Sequence, residues 1–297
     1  MIKKSPEMGC LNGRVFVDKA RTAFSYILKQ IPENRILLPS YIGINDKEGS
    51  GVFDPIAENN VPYDFYNLNR DLSIDMADFQ KKLKDPKVKA ALVIHYFGFV
   101  QNDIEKIARI CREHKKHLIE DCAHSLLSEY NGRETGAFGD ASFFSLHKIL
   151  PMDGGGMLQI NNPHLHTDLE DTEHVKLFSK FDLRKIAGIR RDNYLYLLEK
   201  LKSVSGIEVL YPELPSGIVP LNFPILLKNK DRDEFYYEML DFGVELVSLY
   251  YRLIEQIGEE YENSHYLSKH ITNLPIHQSV THHDIDEMVY LIGKVLE

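Results

Sequence analysis

The sequence predicts an α/β domain followed by a smaller α+β one, and three observations carry that expectation. Between residue 14 and about 160, short β-branched or apolar runs alternate with stretches of helical period, the pattern of strands and helices layered on one sheet. The composition then turns polar through NNPHLHTDLEDTEH, which follows Ile160. Beyond about residue 188, helical and strand-like runs mix over roughly one hundred residues, the size of a small domain. The expected division is 1–188, with 161–188 as a connector, and 189–297.

Strands are expected at Arg14 to Val17, Arg35 to Leu38, Tyr63 to Tyr66, Ala90 to His95, His117 to Glu120, Ala141 to Ser145 and Met157 to Ile160. Helices fit between most of them. The clearest spans Asn102 to His114, where Ile104, Ile107, Ala108 and Cys111 form an apolar stripe opposite a charged face. It closes in HKK, cations suited to the negative end of a helix. Pro39, the Gly49 to Gly51 region and Asn131-Gly132 punctuate loops. In the second part, IRRDNYLYLLEKLKSV has helical period, VPLNFPILL reads as a strand, and DRDEFYYEMLDFG reads as a helix ended by Gly243. DIDEMVYLIGKVL follows as an amphipathic helix with an Asp cap.

With 43% apolar residues the 297-residue chain can fill a proper core. A formal charge of −9 without a basic run argues against a nucleic-acid or anionic-membrane partner, while leaving room for a local basic pocket. MIKKSPEMGC has no apolar run behind its lysines, and ILLPSYIGI and AALVIHYFGFV are too short to span a bilayer, so a cytoplasmic protein is expected. Cys10, Cys111 and Cys122 lack metal spacing and suit a reducing compartment. No metal site is expected. His282-His283-Asp284 has metal-like residue types, but adjacent histidines point to different sides, and a solvated helix start accounts for them better.

The chemistry concentrates between residues 117 and 160. HLIED is a buried-strand run ending in acid, and in open α/β sheets ligands gather beyond the carboxyl ends of strands. Asp121 is therefore placed where a ligand would sit, although an isolated acid there serves equally well as a turn cap. In SFFSLHK, Ser145 and Lys148 stand three apart at another strand end, followed by the glycines at 154 to 156. A lysine between two probable core strands needs a reason, since lysines are mostly solvated. An amine for a Schiff base, a carboxylate for a pyridinium nitrogen and a hydroxyl for a phosphate are the parts that pyridoxal phosphate requires of its protein. The glycines would let the backbone pass close beside such a cofactor, or mark a plain hairpin.

These residues carry a resemblance. ARTAF, RILLPSY, VIHYFG, IEDCAHSL and GAFGDASFFSLHK with DGGGML, then PLNFPILL, SHYLSKHITNLPIHQ and DIDEMV, resemble in order and spacing the DegT/StrS family of sugar aminotransferases. The resemblance runs from about residue 12 to the last helix. It implies the three-layer sandwich of the fold type I pyridoxal-phosphate transferases, with Lys148 as the Schiff-base lysine and Asp121 as the pyridinium partner. By the same resemblance His124 lies near the cofactor's 3-hydroxyl, and Ala20, Arg21 and Thr22 form the phosphate loop at a helix N-terminus, completed by Ser145. At the position of the family's ring-stacking aromatic this chain has Gly43, which leaves Tyr41 and His95 as weak candidates.

The chain also departs from the family's pattern. The segment between the glycines and the last domain is short, and KFDLRKIAGIRRDN lacks the Gly-x-Asn-x-Arg-like motif that reaches the partner subunit. The spacing from Ser to Lys is shorter too, which implies a compact, divergent branch. Arg190 and Arg191 are candidates for a substrate phosphate or for a solvated helix face. Tyr236-Tyr237 and Tyr250-Tyr251 read as core and interface material. The expected function is amino transfer from an amino acid such as glutamate to a keto sugar, nucleotide-linked, by a homodimer in which residues near 41 to 52 or 160 to 190 approach the other site. A pyridoxal-phosphate sugar dehydratase or lyase and an inactive cofactor- or sugar-binding paralogue are the alternatives.

Overall fold

The computed structural model describes residues 13–31 and 35–297, so Cys10 lies outside the described residues. Strands β1 (Arg14–Val17), β2 (Arg35–Pro39), β3 (Tyr63–Tyr66), β4 (Val88–Ile94), β5 (His117–Asp121), β8 (Ala141–Ser145) and β9 (Gly156–Ile160) form one sheet in the order β1-β9-β8-β5-β4-β2-β3; between β5 and β8 lies the hairpin β6 (Glu129–Tyr130) and β7 (Arg133–Glu134). Pairing is parallel from β3 through β8 and antiparallel at β9 and β1. All seven expected strands form, with ends shifted by two residues at most. Asp121 is inside β5 because Ile94 pairs with it and its carbonyl accepts from the His95 amide at 3.1 Å. Asn131-Gly132 is the tip of the β6–β7 hairpin, both residues at positive φ.

Helices α1 (Ala20–Lys29), α2 (Phe53–Glu58), α3 (Met76–Leu83) and α4 (Ile104–Glu113) connect these strands. The chain steps outward from β2 to β3, then in the opposite direction from β4 to β5. Right-handed crossovers therefore place α2 and α4 on opposite faces, which gives three layers. Helix α1 buries Ala23, Phe24, Ile27 and Leu28, and Phe24 stacks on Phe143 of β8 at 4.7 Å. Each such fully buried large apolar side chain contributes about 1.5–3 kcal/mol. Helix α4 buries the expected stripe but begins at Ile104, after Asp103 in a left-handed conformation. Its HKK run falls beyond the last turn, where the Lys116 ammonium donates to the Asp85 carbonyl at 3.0 Å.

The expected connector is partly helical. It contains α5 (His174–Phe178), whose Phe178 packs on Phe16 at 5.2 Å, and α6 (Leu183–Leu201) starts before residue 188 because the Asp182 carboxylate caps it through the Lys185 amide. Strands β10 (Ile207–Val209), β11 (Phe223–Leu227) and β12 (Ile271–Leu274) make an antiparallel sheet packed with α6, α7 (Arg232–Asp241), α8 (Glu262–His270) and α9 (His282–Leu296). Helix α9 is capped by Thr281 rather than by an aspartate; Asp284 closes a capping box with it, a favourable pairing of orphan amides. His282 stacks on Tyr196 and meets Asp192 at 2.8 Å. No helix among the described residues is long and apolar enough to cross a membrane.

Candidate active site

A cavity of about 530 Å³ opens at the carboxyl ends of β5 and β8, beside the start of α1 and the chain that follows β2. That volume suits a small-molecule site. Lys148 reaches it because its neighbours point the other way: Leu146, Ile149 and Leu150 are buried with Phe16 and Phe144, and the Ile149 and Leu150 amides turn back onto the Leu146 carbonyl at 3.2 and 2.9 Å. Burial lowers the Lys148 pKa, against the opposing pull of Asp121 and Glu48.

Asp121 is buried at the cavity floor. One carboxylate oxygen accepts from the Ala123 amide at 2.9 Å, and the other has no hydrogen-bond donor among the described residues. Burial raises its pKa to about 6, countered by the Ala123 amide and by the charges of Lys148 and His95. His124 is buried between two partners: its Nδ1 accepts from the Phe97 amide at 3.2 Å, and its Nε2 lies 2.9 Å from the Lys148 Nζ. Burial, then the Lys148 charge, depresses the His124 pKa well below the usual imidazole value.

The far side of the cavity begins at α1. No side chain caps this helix and no acid occupies its first turn, so among the described residues its first two amides, of Ala20 and Arg21, have no partner and favour an anion. Lys19, Ala20 and Arg21 line the wall; Thr22 does not, and its amide turns back to the Lys19 carbonyl at 3.1 Å. The Arg21 guanidinium is engaged by the Glu48 carbonyl at 2.8 Å and by Asp54 at 3.5 Å, which leaves its backbone as the cavity-facing part. Ser145 lines the cavity with its Oγ 3.2 Å from Nδ1 of His147. Gly156 allows β9 to pass directly beneath the helix start: a Cβ there would lie 2.5 Å from the Ala20 nitrogen.

Neither expected aromatic lines the cavity. His95 is buried behind it, donating to Glu120 at 2.9 Å, and Tyr41 is wholly covered. The aromatic wall is Tyr250, at φ 60°, whose ring stacks on Tyr41 at 5.0 Å and meets His124 edge-on at 5.8 Å. Gly43 makes the room, since a Cβ on it would approach the Tyr250 ring to 3.1 Å. Tyr250 thus belongs to the site rather than to core or interface alone, and the only sequence signal for it is the missing side chain at position 43. Arg190 and Arg191 are elsewhere: Arg190 is buried and donates to the Leu221 carbonyl at 2.7 Å, and Arg191 donates to the Pro215 carbonyl at 3.0 Å.

An amine, a carboxylate with a free oxygen and an uncapped helix end suit a ligand with an electrophilic carbonyl, a protonated nitrogen and an anionic group. GDP-perosamine synthase of Vibrio cholerae is 36% identical over 93 residues, 31% of this chain and 25% of that protein. The matched stretch is thus about a quarter of that relative's length. An aminotransferase, TlmJ, from Streptoalloteichus hindustanus superposes with a TM-score of 0.82 at 21% identity, covering 97% of this chain and 86% of that one. A protein from Streptococcus pneumoniae solved in its PLP form gives 0.80 at 14% identity, over 95% of this chain and 86% of that one. The two structural likenesses identify the fold as that of the fold type I transferases. The sequence model of the DegT/DnrJ/EryC1/StrS aminotransferase family matches residues 61–185, and that segment holds Asp121, His124, Ser145 and Lys148.

Proposed function

We propose that the chain is a pyridoxal-phosphate-dependent aminotransferase that moves an amino group from an amino acid such as glutamate to a keto sugar, nucleotide-linked. The observation that carries the proposal is the convergence of Lys148 and Asp121 on one cavity at the ends of two neighbouring parallel strands. The match of residues 61–185 to an aminotransferase family model supports the reaction class.

The residues present fit the cofactor. The free oxygen of Asp121 is a vacant acceptor beside the cavity, suited to a protonated ring nitrogen, and the opening of α1 with Ser145 suits a phosphate. Lys148 provides the amine for covalent attachment. When bound, pyridoxal phosphate supplies an electron sink that stabilises negative charge at the substrate carbon. Asp121 keeps that sink protonated at its ring nitrogen. Lys148, with its amine at the cavity, would serve as general base and then acid for the proton of the substrate carbon. Tyr250, Ile42 and Gly43 close one side against water.

The same proposal includes a homodimer, in which residues near 41 to 52 or 160 to 190 approach the other site, and the division into 1–188 and 189–297. A monomer by light scattering would remove the dimer. For the reaction, the visible spectrum is recorded with added pyridoxal phosphate, for the protein and for Lys148→Ala, before and after glutamate. A lysine-dependent band that bleaches with glutamate is expected; a band of equal strength in Lys148→Ala would overturn the proposal.

A further inference from the structure

We propose that His124 is a positioning residue that holds the Lys148 amine unprotonated, by presenting it with an N–H donor whose direction is fixed by the backbone of Phe97. The inference rests on the reading of Lys148 as the reactive amine.

A backbone amide can only donate. The Phe97 N–H points at Nδ1 of His124 at 3.2 Å, so Nδ1 must carry a lone pair. A neutral imidazole has one proton, which then sits on Nε2. Nε2 lies 2.9 Å from the Lys148 Nζ, and an N–H facing that nitrogen needs a lone pair to receive it. An ammonium has none. An imidazolium is equally disfavoured, because its Nδ1 proton would face the Phe97 amide. The one arrangement that satisfies both contacts is neutral His124 donating to a neutral lysine.

The Phe97 amide is firmly held. Phe97 has φ 56° and ψ 18°, a left-handed conformation that costs a non-glycine residue about 1–2 kcal/mol. It is buried, its carbonyl accepts from the Leu221 amide at 2.8 Å, and Gly98 beside it packs so that a Cβ would lie 2.9 Å from the Leu221 nitrogen. The strain is thus fixed from the second sheet's side, and it is what aims the amide at His124.

The other groups around the amine pull both ways. Asp121 on β5 and Glu48 on the rim favour the ammonium, and Arg21 on α1 disfavours it. His147, next in the chain, and Tyr250, over the His124 ring, complete the surroundings. Burial works in the direction of the proposal at both Lys148 and His124.

The test uses the whole chain without added cofactor. Per-lysine acetylation rates against pH, read by mass spectrometry, give the titration of Lys148 with exposed Lys176 as the internal reference. Glutamine at 124 keeps the pattern, its carbonyl accepting from Phe97 and its amide donating to the lysine; glutamate reverses it. The expected result is that His124→Gln titrates with the parent and His124→Glu moves the Lys148 midpoint up by at least about one pH unit. That corresponds to about tenfold slower labelling at neutral pH. Equal midpoints in the two variants would overturn the inference. Nitrogen NMR of the unaltered protein checks the tautomer without any variant, and a proton on Nδ1 of His124 would overturn it as well. Failure of the lysine-dependent band with pyridoxal phosphate, with the titration intact, would remove the proposed reaction instead.

Discussion

Arg190 donates through Nε to Oε1 of Gln278 at 3.0 Å, and Gln278 in turn donates to the carbonyl of Ile149, the residue after Lys148, at 3.1 Å. The guanidinium is buried, has no carboxylate partner among the described residues, and burial lowers its pKa to about 10. It fastens the lysine segment to α6 and to the chain before β11. Truncation to Ala leaves unpaired carbonyls and an empty space, which should cost about 3–5 kcal/mol. Arg190→Met loses the same bonds and the same charge but keeps most of the side-chain volume, and should cost about half as much. Urea unfolding of the two variants tests the order; equal losses would mean that the space left by truncation carries no cost.

Asp121 ties stability to pH. Its pKa in the fold is about 6, above the model-compound value of 3.8, so the folded state holds the proton more tightly than the unfolded chain. The stability it contributes is full below about pH 4 and is lost as pH rises through 6, on the order of 1–3 kcal/mol. Asp121→Asn does not titrate. Without cofactor it should melt above the parent at pH 7.5 and level with it near pH 4, while its glutamate half-reaction falls by about a hundredfold or more. Melting curves at several pH values check the first part and stopped-flow spectra the second.

Gly156 has an unremarkable φ, so its substitution acts through space alone. A methyl there must push the start of α1 away from β9, with contacts to Ala20 N at 2.5 Å and to Lys19. Gly156→Ala should weaken pyridoxal-phosphate binding by at least about tenfold, or 1.4 kcal/mol. Fluorescence titration of binding measures it, and Gly188→Ala, which meets nothing within 4 Å, is the control.

Glu120 faces away from the cavity beside Asp121. Its carboxylate accepts from the amides of Phe138 at 2.7 Å, Gly139 at 2.6 Å and Gly136 at 3.0 Å, and from His95. Glu120→Gln sets an amide N–H against at least one of these donors. A loss of about 2–4 kcal/mol is expected, larger than an exposed glutamate would give. Thermal unfolding against Glu208→Gln, whose carboxylate is on the surface, supplies the comparison.

What the sequence makes legible follows range of interaction. Strand positions and the placing of Asp121 and Lys148 depend on local pattern, and they are readable as such. The stripe on α4 is readable for the same reason. Tyr250 and Arg190 are not, because their roles depend on partners far along the chain, Tyr41 at 209 residues from the first and Gln278 at 88 from the second. Phosphate-loop likeness marks the start of α1 but does not say which of its amides is already taken, and that of Thr22 is held by the Lys19 carbonyl. The Thr281 cap was missed because Asp284, three residues on, reads as a cap by itself when the box that pairs them is not considered.

The wall that Tyr250 supplies comes late in synthesis. The segment after β2 is braced by residues 250–254, through the Tyr41 hydroxyl on the Tyr250 carbonyl at 3.2 Å and the Ile44 amide on the Arg252 carbonyl at 3.0 Å. A ribosome moving at about 5–20 residues per second needs on the order of 5–20 s to travel from Lys148 to Tyr250. Through that interval the nascent chain carries its amine in a half-built pocket, open to any passing aldehyde. On the proposed function, stable loading would wait for Tyr250 to leave the ribosome, and a product truncated before it would carry a lysine without the wall that guards it.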